Sequence, residues 1–219
     1  MKVYLLFTLL TLCLSAILPN YSFAEFEKSI GICKKPNKEQ LITLKELAKN
    51  VGEPISNCKR LYKKLKTKTY IRLTYTGKIT DLSPISELTN LEGISLSGNK
   101  LKDISVLSGL KNIKKLYINN NYITNIQPIL RLDKLYYLDI SGNPIEDLKY
   151  LPAITSLKVL FLTSINNTTE YLNVSPIKDI KKLTFLHAGF NNIKDITPLS
   201  SLTNLESLSL INNSISNIE

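Results

Sequence analysis

The sequence predicts an α/β repeat fold. It is a solenoid whose coils each add one short strand to a curved parallel sheet on the concave face, then return along the convex side through 3₁₀ or irregular turns. A small helical cap closes its N-terminal end. Three observations carry this. Asparagines recur at Asn99, Asn121, Asn143, Asn191 and Asn213, spaced by 22, 22, 48 and 22 residues, and 48 is 22 plus 26. A fixed period this short is the mark of stacked coils. Within the unit 101–122, apolar residues fall at Leu101, Ile104, Leu107, Leu110, Ile113, Leu116 and Ile118, stepping by three and closing with a step of two. Steps of three suit 3₁₀ turns, in which every third side chain eclipses, and the step of two is strand alternation. Third, Cys33, Cys58 and two stretches of helical spacing precede the first repeat.

Residues 1–24 read as an export signal. Lys2 is followed by an apolar run from Val3 to Leu18 and by Ser22-Phe23-Ala24 ahead of Glu25, a small-residue cleavage site. The run of 16 is short for a membrane span, which takes about 20 residues. Residues 25–70 read as the cap. Leu41, Leu44, Leu47 and Ala48 lie at helical spacing, and Cys58-Lys59-Arg60-Leu61-Tyr62-Lys63-Lys64-Leu65 puts apolar residues on one helical face and positive charge on the other. Once Cys13 leaves with the signal, Cys33 and Cys58 remain. An even pair in an exported chain reads as a disulfide, with two buried thiols as the alternative. A metal site is disfavoured by two cysteines with no histidine nearby.

The formal charge of +10 is unevenly placed: residues 25–70 hold 12 basic and 5 acidic side chains (+7), residues 71–219 hold 15 and 13 (+2), and Lys2 supplies the last charge. The basic face of the cap is a solvated surface or a weak contact with anionic surfaces. Nucleic acid is a poor partner for an exported chain.

Residues 71–219 read as the solenoid, opening on the alternating Ile71-Arg72-Leu73-Thr74-Tyr75. Full coils run over 79–100, 101–122, 123–144, 145–170, 171–192 and 193–214, with a partial seventh at 215–219. In each the asparagine turns inward to satisfy backbone groups at the corner. One coil cannot bury its own apolar side, so stacking is compulsory. The irregular coil has Ile165 where the asparagine belongs, and its insertion falls near 164–169, where Asn166 or Asn167 could slide into the vacant place.

The spacing Leu-x-x-Leu-x-Leu-x-x-Asn, as in Leu91-Glu92-Gly93-Ile94-Ser95-Leu96-Ser97-Gly98-Asn99, is that of leucine-rich repeats. With Asp195-Ile196-Thr197-Pro198-Leu199 after the turn, the 22-residue form resembles the bacterial internalin family over residues 79–219. The resemblance implies a helical cap, non-enzymatic binding on the concave face, and host-surface or envelope targets. Cysteines in the cap depart from that family and fit an oxidising periplasm or its secreted products. The family often carries a further domain and a surface anchor after its repeats. None is read here, so the chain is expected to stand alone or to be the recognition part of a longer effector. The last layer (Leu202, Leu205, Leu208, Leu210, Ile215 and Ile218) is expected to be covered by a second copy, a partner or further residues.

Strand alternation sorts the concave face into columns. Beside the central strand leucine stand Gly93, Lys115, Tyr137, Val159, Phe185 and Ser207 on one side, and Ser95, Tyr117, Asp139, Phe161, His187 and Ser209 on the other. Aromatics gather on the middle coils: Tyr117, Tyr137, Phe161 and Phe185, with Asp139 and His187 among them and Phe190 at the border. Such a group, several hundred Å² when covered, has the makings of an interface centre; packing of the aromatics on one another is the plainer account. A catalytic role is disfavoured. The single histidine is two strands, about 9.6 Å, from Asp139, and no nucleophile elbow, phosphate loop or metal-ligand cluster occurs. The reading is a secreted or periplasmic bacterial protein, not an enzyme and without a cofactor, that binds a protein ligand on its concave face. A carbohydrate-binding module is the alternative, since exposed rings also stack on sugars.

Overall fold

The computed structural model describes residues 33–145, 147–165 and 171–216. The export signal expected at 1–24 lies outside them. Among the described residues, seven strands of three residues each run parallel in an open sheet ordered as in the sequence. They are β1 (Tyr70–Arg72), β2 (Gly93–Ser95), β3 (Lys115–Tyr117), β4 (Tyr137–Asp139), β5 (Val159–Phe161), β6 (Phe185–His187) and β7 (Ser207–Ser209). Between consecutive strands the chain returns through one 3₁₀ turn, from Ser83–Ile85 after β1 to Thr197–Ser201 after β6. The apolar side chains that step by three and two merge into one continuous core from the cap to Leu202.

Two side-chain devices repeat along the stack. In five coils an acidic or amide residue two positions before the 3₁₀ turn accepts its first N–H: Asp81 from Ser83, Asp103 from Ser105, Asn125 from Gln127, Asn173 from Ser175 and Asp195 from Thr197; in the coil of the Leu151–Ala153 turn, Asp147 accepts from Lys149, two residues ahead of it, all at 2.7–2.9 Å. These side chains mimic a backbone turn and set where the return begins. The second device is the inward asparagine. Asn143 Nδ2 donates to Ile118 O at 2.9 Å and Ile140 O at 3.0 Å, while its Oδ1 accepts the N–H of Ile123 at 3.1 Å. Asn121 and Asn191 bridge neighbouring coils in the same way.

Ile165 does occupy the asparagine column, fully buried. The N–H of Ile145, which a side-chain amide would otherwise hold, donates instead to the backbone oxygens of Ile165 at 3.1 Å and Asn143 at 2.9 Å. Asn166 and Asn167 lie outside the described residues.

The cap consists of α1 (Lys38–Val51) and α2 (Cys58–Leu65). Asn37 and Gln40 form a reciprocal capping box at the start of α1, and Gly52 ends it at φ 63°, the left-handed turn that glycine adopts without penalty. Cys33 and Cys58 are joined by a disulfide, their Cα atoms 5.8 Å apart. The cap grips the first coil through Thr43 Oγ1 to Asp81 O at 2.6 Å and Tyr62 OH to Pro84 O at 2.8 Å. The sequence expects a strand from Ile71 to Tyr75, whereas β1 ends at Arg72. Leu73 and Tyr75 still donate to Ser95 and Ser97 at 2.7 Å, so pairing to the next coil continues past the regular strand. On the free edge of β1, the Asn50 amide accepts the N–H of Arg72 at 3.1 Å and donates to its carbonyl at 2.9 Å. One side chain thereby occupies backbone groups that an exposed edge would offer to another chain.

Candidate functional site

The parallel register places the expected columns on one sheet face. Gly93, Lys115, Tyr137, Val159, Phe185 and Ser207 align strand by strand, as do Ser95, Tyr117, Asp139, Phe161, His187 and Ser209. Between the columns runs the buried line of Ile94, Leu116, Leu138, Leu160 and Leu186, so from β3 to β7 the columns lie on the outward face of the sheet, while Gly93 and Ser95 of β2 are buried.

On this face the aromatic rings form one zigzag row that alternates between columns. Tyr117 and Tyr137 have centroids 4.7 Å apart, Tyr137 and Phe161 5.6 Å, and Phe161 and Phe185 5.0 Å, all tilted by 36–42°. These are separations at which aromatic pairs attract. The His187 ring joins at 5.8 Å from Phe161. Each of the four aromatics is partly exposed. The zigzag leaves two notches: Val159 lies in register between Tyr137 and Phe185, and Asp139 between Tyr117 and Phe161.

Electrostatics on the row follow from burial. Removal from water raises the Asp139 carboxyl above the usual aspartate range, opposed by hydrogen bonding from Ser141 and by His187. The Ser141 N–H donates to Asp139 Oδ1 at 3.0 Å. Burial likewise pushes the Tyr137 phenol up to about 12, helped by Tyr117 and Asp139. His187 Nε2 is buried and has no hydrogen-bond partner among the described residues. At the cap side Lys115 Nζ stands 5.7 Å from the Tyr136 ring. That tyrosine lies outside the columns read from sequence; its signal is its place two residues before the central Leu138.

Phe190 is set apart from the row, on the turn after β6. It is 49% exposed at φ 59°. Gly98, Asn120, Gly142, Ser164 and Asn212 have the same left-handed backbone immediately before the asparagine position of their coils, and Tyr75 has it in the first. Glycine and asparagine suit that conformation; a bulky ring does not. The sequence columns stop short of this position and give no sign of its backbone.

A leucine-rich repeat family model matches residues 89–131, 111–153 and 181–219. Among solved structures, the internalin inlF of Listeria monocytogenes is similar at 27% identity and TM-score 0.70, over 81% of this chain and 51% of that one. The chain carries leucine-rich repeats similar to those of internalins. A Leptospira interrogans leucine-rich repeat protein is 26% identical with TM-score 0.55, over 72% of this chain and 46% of that one. Internalin C2 of Listeria monocytogenes shares the fold at 24% identity and TM-score 0.60, over 81% and 86%. No curated protein sequence matches. The chain thus spans about half the length of inlF. These matches indicate no enzymatic family. Among the described residues no helix is long and apolar enough to cross a membrane.

Proposed function

We propose that this is an exported protein that binds a protein ligand on the concave face of its sheet, with the row Tyr117, Tyr137, Phe161 and Phe185 as the centre of contact. The single observation that carries the reading is that row: four partly exposed rings in mutual contact on consecutive strands. Rigid aromatics lose little conformational entropy when covered and dominate interface energetics. Ser141 and Ser209 and the Asn119 amide supply the polar surround that interfaces carry at their rim. The targets proposed are proteins of a host cell or of the bacterial envelope, and the disulfide fits an oxidising compartment outside the cytoplasm.

The test is capture from host-surface and bacterial-envelope extracts by the wild-type protein and by a Tyr137→Ala, Phe161→Ala, Phe185→Ala variant, followed by calorimetry on the recovered partner. Each single substitution is expected to weaken binding by about 2 kcal/mol or more, and Ser95→Ala or Ser209→Ala by less than about 0.5 kcal/mol. A partner held equally by the triple variant would move the site elsewhere. Binding to a glycan array with no protein partner would replace the reading with carbohydrate recognition, which the same rings would serve.

A further inference from the structure

The aromatic row holds one charged notch. Among the eighteen column positions on the strands and just beyond them in the six coils from β2 to β7, Asp139 is the single carboxylate and Lys115 the single cation. Asp139 sits in register between Tyr117 and Phe161, with Tyr137 two residues before it on the same strand and face. Three rings therefore surround the carboxylate on its own strand and both neighbours.

A carboxylate has about four acceptor positions. Among the described residues, hydrogen bonding from Ser141 is what this one receives. None of the ion pairs among the described residues includes it. The nearest cation in sequence register, Lys115, lies over the Tyr136 ring instead. Partial burial of a carboxylate among hydrocarbon is costly unless a cation or hydrogen-bond donors meet it. Tyrosine and phenylalanine faces are themselves attractive to cations.

Resting on the reading of this face as the ligand site, we propose that the notch at Asp139 receives an arginine side chain of the protein partner, its guanidinium laid on the Tyr117, Tyr137 and Phe161 rings and hydrogen-bonded to the carboxylate. Arginine fits better than lysine because its planar, weakly hydrated cation stacks on rings while its fork of five N–H donors meets a carboxylate side-on. The notch is thus a specificity determinant within a broad apolar contact, since a partner lacking the cation would bury Asp139 unpaired.

The experiment uses pools of fluorescent acetylated peptides with randomised flanks and one fixed central residue: arginine, its uncharged isostere citrulline, or lysine. Binding to the full chain is read by anisotropy, and to Asp139→Asn and Phe161→Ala variants likewise. The arginine pool is expected to bind about tenfold more tightly than the citrulline pool, and Asp139→Asn to bring the two within about twofold. Equal binding of arginine and citrulline by the wild type overturns the inference. So does an arginine preference that survives Asp139→Asn, and so does the absence of any binding. A lysine pool equal to the arginine pool overturns the guanidinium assignment. If all pools bind equally but lose affinity with Phe161→Ala, the concave-face reading stands and the arginine inference alone falls.

Discussion

Single residues in this fold differ sharply in what they hold. Asn143 satisfies two carbonyls and one N–H at a corner where no water reaches. Asn143→Ala leaves the buried Ile123 N–H and the Ile118 and Ile140 carbonyls without those partners, and at about 1–3 kcal/mol for each orphaned group the expected loss is at least about 3 kcal/mol by urea denaturation. A loss below about 1 kcal/mol would mean that the corner rearranges as it does at Ile165. Phe190 is the opposite case, a residue that costs stability. Its left-handed backbone is worth about 1 kcal/mol against a ring, while asparagine holds the equivalent position in two other coils, at Asn120 and Asn212. Phe190→Asn is expected to raise stability by about 0.5–1 kcal/mol. A fall instead would show that the ring packs on its coil more strongly than its backbone strains it. At this scale the columns were legible in the sequence, because a period of 22 fixes the register and strand alternation fixes the face. The ring contacts were not. Whether Tyr137 leans toward Tyr117 or stays in line with Val159 depends on side-chain rotamers, which spacing leaves open. The unpartnered Nε2 of His187 was equally out of reach, since an unmet hydrogen bond is known only when every neighbour is placed.

At the scale of elements, the repeats announced themselves and the cap's joints did not. The two helices follow from apolar spacing, but Asn50 closing the edge of β1 is a helix-to-strand contact with no local pattern. Nor does spacing reveal that Glu53, 7% exposed, meets Arg60 Nε at 2.8 Å and Lys64 Nζ at 2.6 Å. The hydrogen bond from Lys64, with both positive charges, outweighs burial and holds the Glu53 carboxyl below its usual range. A carboxyl lowered by folding stabilises the fold above the ordinary glutamate value of about 4.3 and ceases to do so as pH falls through its lowered value. Glu53→Gln should therefore lower the urea midpoint at pH 7 and match the wild type once the acid limb is passed. An equal deficit at both pH values would remove the charge from the explanation. The disulfide of the same cap closes 25 residues, and reduction is expected to lower stability by about 3–4 kcal/mol in the chain-entropy account. Mass mapping of freshly secreted, unreduced protein that found both thiols free would end that expectation.

For the whole molecule, the stack makes stability a matter of neighbours, because each coil touches only the coils beside it. The two sides of the sheet are finished differently. The first strand is held by Asn50, and its coil by Thr43 and Tyr62 of the cap. The last described strand, β7, pairs only with β6, and Leu208 and Ile211 there are 45% and 55% exposed where their equivalents in the middle coils are buried or flanked. Local opening free energy should then fall from the middle of the stack toward β7. The amides of Ile118 and Ile140, bonded to Asp139 and Phe161 at 2.9 and 3.1 Å, and of Ser207, bonded to Thr184 at 3.0 Å, report the two regions. Native-state hydrogen exchange should find Ser207 opening at least about tenfold more often than Ile118 and Ile140, with all three converging only in denaturant near the global transition. The aromatic row occupies β3 to β6 and has no ring on β7, so ligand binding on the row should slow exchange at Ile140 more than at Ser207. Equal protection of β7 and β4 in the free protein would show that the last layer gains cover that its single strand partner does not provide.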